Sequence, residues 1–109
     1  MASTFKNSIT GVIGTESHRV YKTPGATTTT VIGLSVANIS SAGVEANVHM
    51  VANTSFQAHV VKSAPVPVGG TLVVVGGDQK IVLEAADEIR VTSSAASSLS
   101  AIVSVLEQT

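Results

Sequence analysis

The chain of 109 residues has no cysteine and no tryptophan. The absence of cysteine excludes disulfide bonds, thiolate metal sites and cysteine nucleophiles. Aromatic residues make up only 3% of the chain, and they are Phe5, Tyr21 and Phe56. Since aromatic rings usually bury the most apolar surface, the core has to come from many short aliphatic side chains. We therefore expect a modest core, stabilised by contacts with other copies or other proteins.

Charge is also scarce. Charged residues are 12% of the chain and the formal net charge is −1, against about 25% charged residues in an average domain. No basic stripe is present to neutralise phosphates, which argues against a nucleic-acid partner. No apolar run approaches the length of a membrane helix, and the first ten residues lack the pattern of a signal peptide, so we expect no membrane partner.

β-Branched residues are abundant. The chain has 18 Val and 12 Thr residues, and both types favour strands. Short apolar or alternating runs separated by turn residues are typical of a sandwich or barrel. The sequence predicts an all-β fold: a single antiparallel β-sandwich, jelly-roll-like, with eight or nine short strands. Residues 17–109 form the predicted domain, and residues 1–16 form a possible N-terminal arm because their polar composition leaves their pairing uncertain.

Three segments lead to specific expectations. In Val31–Asn38, alternation predicts a central strand with Ile32, Leu34 and Val36 on one face. The two prolines of residues 64–70 exclude an interior strand and predict a connection between sheets. At the C-terminal end, Ala95–Leu106 could form a helix, but its Ser and Val content and its period of two favour a strand.

The turn residues predict two hairpins. Gly76-Gly77-Asp78-Gln79 separates Leu72–Val75 from Lys80–Leu83, which is a strong hairpin signal. The other hairpin joins Val44–Met50 to Phe56–Lys62 through Asn53-Thr54-Ser55.

In this second hairpin, Glu45, Asn47 and His49 share the polar face, and a three-residue loop would place His49 directly opposite His59. We interpret Glu45, Asn47, His49 and His59 as a candidate partner-contact face. Two opposed imidazoles could also share a metal ion or form a pH-sensitive contact, but no third ligand is placed by spacing, so we predict no metal site.

No arrangement of residues suggests catalysis. A Gly-x-Ser-x-Gly sequence is absent, and the two Gly-Gly pairs do not precede a helix, as a phosphate-binding loop requires. The acidic residues Asp78, Glu84, Asp87 and Glu88 lack the spacing of a calcium loop. We therefore predict no enzyme activity, no catalytic residues and no cofactor.

Three segments in the second half of the chain have a distinctive pattern. A crossover of the form K-x-A-P-x-P-x-G-G lies at residues 62–70, and a hairpin of the form K-I-V-L-E-x-x-D lies at residues 80–87. A Ser/Ala-rich corner and a Val-rich strand follow between Ser93 and Glu107. Together these motifs resemble small virion structural proteins of tailed bacteriophages, and the likeness extends over residues 31–107. The chain departs from the pattern at Ala86, where Gly usually precedes the Asp.

The resemblance implies a non-enzymatic structural protein of the virion, assembled in the host cytoplasm. The first expectation is a capsid decoration or cement protein that stabilises contacts between major capsid subunits. Its partners would be the major capsid protein or other virion proteins, and copies of itself in a homo-oligomer such as a trimer. The alternatives are a neck or tail accessory protein, or a module that binds glycans on the host surface, for which the chain offers few aromatic side chains.

Overall fold

The computed structural model describes residues 2–52, 56–76 and 79–109. These ranges contain nine strands and no helix, and hence no helix that could span a membrane. The strands are β1 (Ser3–Ile13), β2 (His18–Lys22), β3 (Thr28–Asn38), β4 (Val44–Val51), β5 (Gln57–Val66), β6 (Thr71–Val75), β7 (Ile81–Leu83), β8 (Glu88–Ser93) and β9 (Leu99–Gln108).

The strands form two antiparallel sheets that pack face to face. Sheet A has the order β1-β9-β3-β6, with β7 also paired to β3, and sheet B has the order β2-β8-β4-β5. When β6 and β7 are counted as two parts of one edge, each sheet has four strands in the order of a jelly roll. The predicted fold class is confirmed.

Short aliphatic side chains fill the space between the sheets, because valine and leucine alternate with outward-facing residues along the strands. On β9, Leu99, Ala101, Val103 and Val105 are all buried, which confirms the strand prediction for this segment. The buried apolar residues include no aromatic ring; they are Ile13, Val20, Val31, Leu34, Val36, Val44, Ala46, Val48, Val66, Val74, Val75, Leu83, Ile89, Val91, Leu99, Ala101, Val103 and Val105.

The predicted hairpin between Leu72–Val75 and Lys80–Leu83 is wrong. β6 pairs with Leu34–Ala37, and β7 pairs with Thr29–Val31, so both run in the same direction along one edge of β3. Gly77 and Asp78 lie outside the described residues. A Gly-rich segment can either interrupt a strand or reverse its direction. Because β6 and β7 both pair with β3, they are two parts of one interrupted edge and not the two arms of a hairpin.

The predicted face of β3 is wrong in one part. The register against β9 shifts between Val31 and Gly33, and a β-bulge of this kind moves neighbouring side chains to the other face. Val31 is therefore buried beside Leu34, whereas Ile32 is only partly buried. The central position of β3, between β9 and the β6/β7 edge, is as predicted.

The proline-containing segment begins as a strand. β5 continues through Pro65 to Val66, further than Lys62, where the sequence predicted its end. Since β5 is the edge of sheet B, Pro65 removes no donor needed by a second neighbour. After Val66 the chain crosses to β6 in sheet A, so the predicted connection between sheets is confirmed.

The N-terminal residues belong to sheet A in this structure. The sequence left the pairing of residues 1–16 uncertain, but β1 begins at Ser3 and pairs with β9 from Ser3–Gln108 onward. Most of its side chains are exposed. β1 is thus the outer edge of the sheet.

A buried polar group links the two sheets at one end of the sandwich. The Tyr21 hydroxyl of sheet B donates a hydrogen bond to the Glu107 carboxylate of sheet A, and Lys6 Nζ lies 3.0 Å from the other carboxylate oxygen. Burial, and then the bond to Glu107, raise the pKa of Tyr21 to about 12. The same hydrogen bond, assisted by Lys6, lowers the pKa of Glu107 against the opposing effect of burial. Glu107 is therefore held ionised and paired inside the sandwich.

Ala86 occupies a backbone conformation that favours glycine. It is the third residue of a turn in which the Asp87 N–H donates to the Glu84 carbonyl at 3.0 Å, and its φ is 69°. The side chain of Asp87 also accepts a hydrogen bond from the Glu84 N–H at 2.9 Å. The departure from the phage pattern thus falls where an L side chain is strained.

We predict that Ala86→Gly raises the free energy of unfolding by about 1 kcal/mol, because it removes the strain of a positive φ. Urea denaturation would measure the change. Ala85→Gly is the matched control: that residue is not among those with a positive φ, so the substitution should lower stability by increasing the freedom of the unfolded chain. Equal effects of the two substitutions would contradict the prediction.

Candidate interaction surfaces

The outer face of sheet B carries the four residues predicted to contact a partner. On β4, Val44, Ala46 and Val48 are buried, while the alternate residues Glu45, Asn47 and His49 point outward. The pairing of His49 with His59 across β4 and β5 is confirmed. The loop residues Asn53, Thr54 and Ser55 that suggested this register lie outside the described residues, but the Ala52 N–H donates to the Phe56 carbonyl at 2.7 Å beside them.

Among these four residues, Asn47 also has a structural task. Its Oδ1 accepts a hydrogen bond from the Ser63 N–H at 2.9 Å. Ser63 has a φ of 52°, and the β4–β5 register shifts beside it, between Ala46 and Val48. Asn47 therefore holds a bulge in β5. Glu45, His49 and His59 are the residues of this set with side chains available for a contact.

Two arginines extend the histidine pair into a row. Arg90 of β8 lies opposite His49, and Arg19 of β2 lies opposite Arg90, so one line across all four strands of sheet B reads Arg19, Arg90, His49, His59. We call these residues the basic row. The two imidazole rings are 5.7 Å apart between centroids and tilted by 60°. Glu88 neutralises part of the row, with Oε1 2.8 Å from Arg90 Nε and Oε2 3.8 Å from Arg19.

The environment of His49 disfavours its protonated form. Burial lowers the pKa of His49, and the neighbouring His59 and Arg90 lower it further. Its Nδ1 is buried without a hydrogen-bond partner. Beside it is an open depression of about 610 Å³ that Lys22, Glu88 and Arg90 also line. The arginine end of the basic row can accept a negatively charged group, whereas the arginines would repel a cation.

The two-histidine arrangement lacks a further ligand. Across the described ranges, no group of three or more His, Asp or Glu side chains is placed to hold a metal ion. Of the acidic residues that the sequence placed around a turn, Asp87 is buried and its carboxylate accepts a backbone hydrogen bond, and Asp78 lies outside the described residues.

The outer face of sheet A is apolar, unlike that of sheet B, and the sequence did not lead us to predict it. Phe5, Ile9, Ile102, Val73 and Val82 project from it and are 50–74% exposed. We call these five residues the apolar face. The strand register aligns Ile9, Ile102, Ser35 and Val73 in one row across the sheet, and Phe5, Leu106, Thr30 and Val82 in another.

The strand residues that surround the apolar face carry no charge. The register places the described residues Ser3, Phe5, Asn7, Ile9, Thr28, Thr30, Gly33, Ser35, Ala37, Thr71, Val73, Val82, Ser100, Ile102, Ser104, Leu106 and Gln108 on this side of sheet A, and none of them is ionisable. The sequence contained a sign of this face, because β1 and β9 have apolar residues on the side that faces away from the core. It could be found only once both strands were known to share a sheet.

Comparison with known proteins identifies the fold. No protein-family model matches the sequence, and no curated protein matches it. A protein of the disulfide-linked pili of Bacillus endospore appendages has a similar structure, with a TM-score of 0.56 and 10% identity over 98% of this chain and 88% of the other. A protein in the structure of infectious bursal disease virus, Gx strain, matches with a TM-score of 0.50 and 7% identity. That match covers 97% of this chain but 31% of the viral one.

We predict that the free energy of unfolding falls as the pH is lowered from 7 to 5, and that His49→Gln reduces this fall. The reason is that the folded protein lowers the pKa of His49, so the unfolded chain binds the proton more readily over this interval. Stability from the neutral imidazole is present above the ordinary pKa of about 6.5 and is lost below it. Glu107, whose pKa is also lowered, titrates at lower pH.

Urea denaturation at several pH values would measure this dependence. His18→Gln provides the control, since His18 is exposed on β2 and is not part of the basic row. A His49→Gln protein that loses as much stability as the unsubstituted chain between pH 7 and 5 would show that another group is responsible.

Proposed function

We propose that this chain is a non-enzymatic structural protein of a tailed-phage virion, of the capsid decoration or cement type. The observation that carries the proposal is the apolar face of sheet A. A protein that diffuses freely seldom groups five exposed, large apolar side chains on one side of a sheet, because their contact with water is unfavourable. Such a surface is typical of a protein that functions with this face covered by a partner.

The size and chemistry of this surface suit a stable contact. A specific interface buries roughly 800 Å² on each partner, and the domain measures 45 × 26 × 23 Å, so one broad side can supply that area. Because none of the strand residues that the register places on this side of sheet A is charged, a partner could cover them without desolvating an ion. The gain would come from Phe5, Ile9, Ile102, Val73 and Val82, which together form two rows.

The sequence and the comparisons support the same class of function. The crossover, the K-I-V-L-E-x-x-D segment and the Val-rich closing strand resemble small phage virion proteins. The two similar structures belong to a pilus and to a virus. Unlike the disulfide-linked pili, this chain contains no cysteine, so its assembly would depend on non-covalent burial repeated around a symmetric particle.

The proposed partner is the major capsid protein, with decoration distinguished from a neck or tail role by copy number. Decoration predicts stoichiometric copies distributed over the capsid, whereas a handful at one vertex would favour the neck or tail. Electron microscopy of the particle would count them. A glycan-binding role is less well supported, because the exposed ring of Phe5 is on β1 of sheet A whereas that of Phe56 directly precedes β5 of sheet B, so the two rings offer no shared stacking platform.

We predict that Ile102→Glu reduces the number of copies per particle at least tenfold while leaving the domain folded. Ile102 lies at the middle of an apolar row and is 50% exposed, so a carboxylate there would have to be desolvated in the complex. Quantifying the chain against the major capsid protein in purified particles would measure incorporation. The control is Ser41→Glu, which adds the same charge at an exposed position in the turn between β3 and β4, outside the strands of both outer faces. Full incorporation of Ile102→Glu would exclude this face as the contact.

The basic row provides a separate prediction. Replacing both His49 and His59 with Glu places two negative charges opposite each other and makes this end of the row negative. We expect weaker assembly without unfolding, because Glu45, His49 and His59 would no longer present the same contact. Particle incorporation and circular dichroism would be compared with those of His18→Glu. Unchanged incorporation of the double variant would remove this face from the interface.

A further inference from the structure

The two sheets have four open edges, and three of them carry features that hinder pairing with another strand. β2 has only five residues and a register shift between Arg19 and Tyr21. β5 has two register shifts and Pro65. The edge formed by β6 and β7 is interrupted between Val75 and Ile81.

β1 is the exception. It has 11 residues, and its pairing with β9 is in unbroken register from Ser3 to Thr10. Its one charged residue, Lys6, is paired with Glu107 at 3.0 Å, so the charge is partly neutralised within the same domain. A long, regular and weakly charged edge is a template for another strand.

The hydrogen-bond pattern identifies the backbone groups that face the open side of β1. Ala2 and Thr109 exchange two backbone hydrogen bonds, of 3.2 and 2.9 Å. In an antiparallel ladder, such pairs alternate with pairs that do not bond to each other. Even-numbered residues of β1 therefore bond to β9, and the N–H and C=O groups of Ser3, Phe5, Asn7 and Ile9 point away from the sheet.

We propose that β1 pairs antiparallel with β1 of a second copy about a two-fold axis at Asn7, which joins the two sheets A into one. In this register Phe5 lies opposite Ile9 of the second copy, and Ile9 lies opposite its Phe5. Each is an aromatic–β-branched pair of the kind that stabilises sheets. Asn7 lies opposite itself, which gives the isologous contact that two-fold symmetry requires.

Neighbouring registers are less favourable. An axis at Lys6 would place the lysines of the two copies directly opposite each other and would pair Phe5 with Asn7. An axis at Ser8 would pair Phe5 with Gly11, which has no side chain to contact. Only the axis at Asn7 pairs Phe5 with Ile9, and their 74% and 70% exposure would be reduced on both copies.

The second copy also fits the surface beside the edge. Ser3, Phe5, Asn7 and Ile9 point to the apolar face of sheet A, so joining two sheets would make one apolar surface twice as wide. Pairing of β1 thus deepens the proposed function and rests on it, since a shared surface lets one partner hold two copies at once.

Sedimentation equilibrium of the purified chain would test self-association. We expect a concentration-dependent dimer, and we expect Asn7→Pro to raise its dissociation constant at least tenfold. Proline at this position removes an N–H that faces the open edge and leaves the bonds to β9 intact. Asn7→Thr, which keeps the N–H, is the matched control and should dimerise as the unsubstituted chain does.

Chemical cross-linking would test the register without relying on proline. The chain has no cysteine, so Asn7→Cys introduces a single thiol at the proposed axis, where opposed Cα atoms would be about 5.5 Å apart. A short thiol-specific bifunctional reagent should join two copies of Asn7→Cys. Val73→Cys, at an exposed position (67%) on the other edge of sheet A, should still dimerise but should not be cross-linked.

The outcomes separate this inference from the proposed function. A monomer at all concentrations, or equal cross-linking of the two cysteine variants, would overturn pairing through β1. If that monomer still joins particles in many copies, the proposed function stands without it. A dimer with the expected cross-link that never joins particles would support the pairing and overturn the virion role.

Discussion

The contact between two sheets through short aliphatic side chains is the interaction on which the rest of this structure depends. No aromatic ring is among the buried residues of the described core, so the interior is filled by valine, leucine, isoleucine and alanine supplied alternately by the strands. Every strand must then give one of its two faces to the core. That requirement leaves the other face of each sheet, and the outer strand edges, as the places where the chain can meet a partner.

The two outer faces differ because charge is rare and unevenly placed. Arg19, Lys22, Glu88 and Arg90 belong to sheet B, together with the histidine pair, and they keep that face polar. The strand residues that the register places on the outer face of sheet A carry no charge, and they include exposed Phe5 and Ile102. The Tyr21–Glu107 link fixes how these faces are oriented to each other at one end, since it bonds β2 of one sheet to β9 of the other.

A small domain of this design has two ways to gain stability from its neighbours. Covering the apolar face removes hydrophobic surface from water, and pairing along β1 satisfies backbone groups that otherwise face solvent. Both are non-covalent, and both add to stability only when the partner is present. The positive φ of Ala86 shows that the isolated fold is not optimised at this turn.

The sequence by itself determined the fold class, the alternation of β4 and β9, and the opposition of His49 and His59. These depend on side-chain period and on a short loop, which are local properties. Only the tertiary structure decided that β6 and β7 lie along β3, that Val31 replaces Ile32 in the core, and that Arg90 and Arg19 extend the histidine pair. Strand order and bulges depend on packing between residues far apart in the chain. A period of two marks which side chains share a face, but it carries no information on which strand becomes the neighbour.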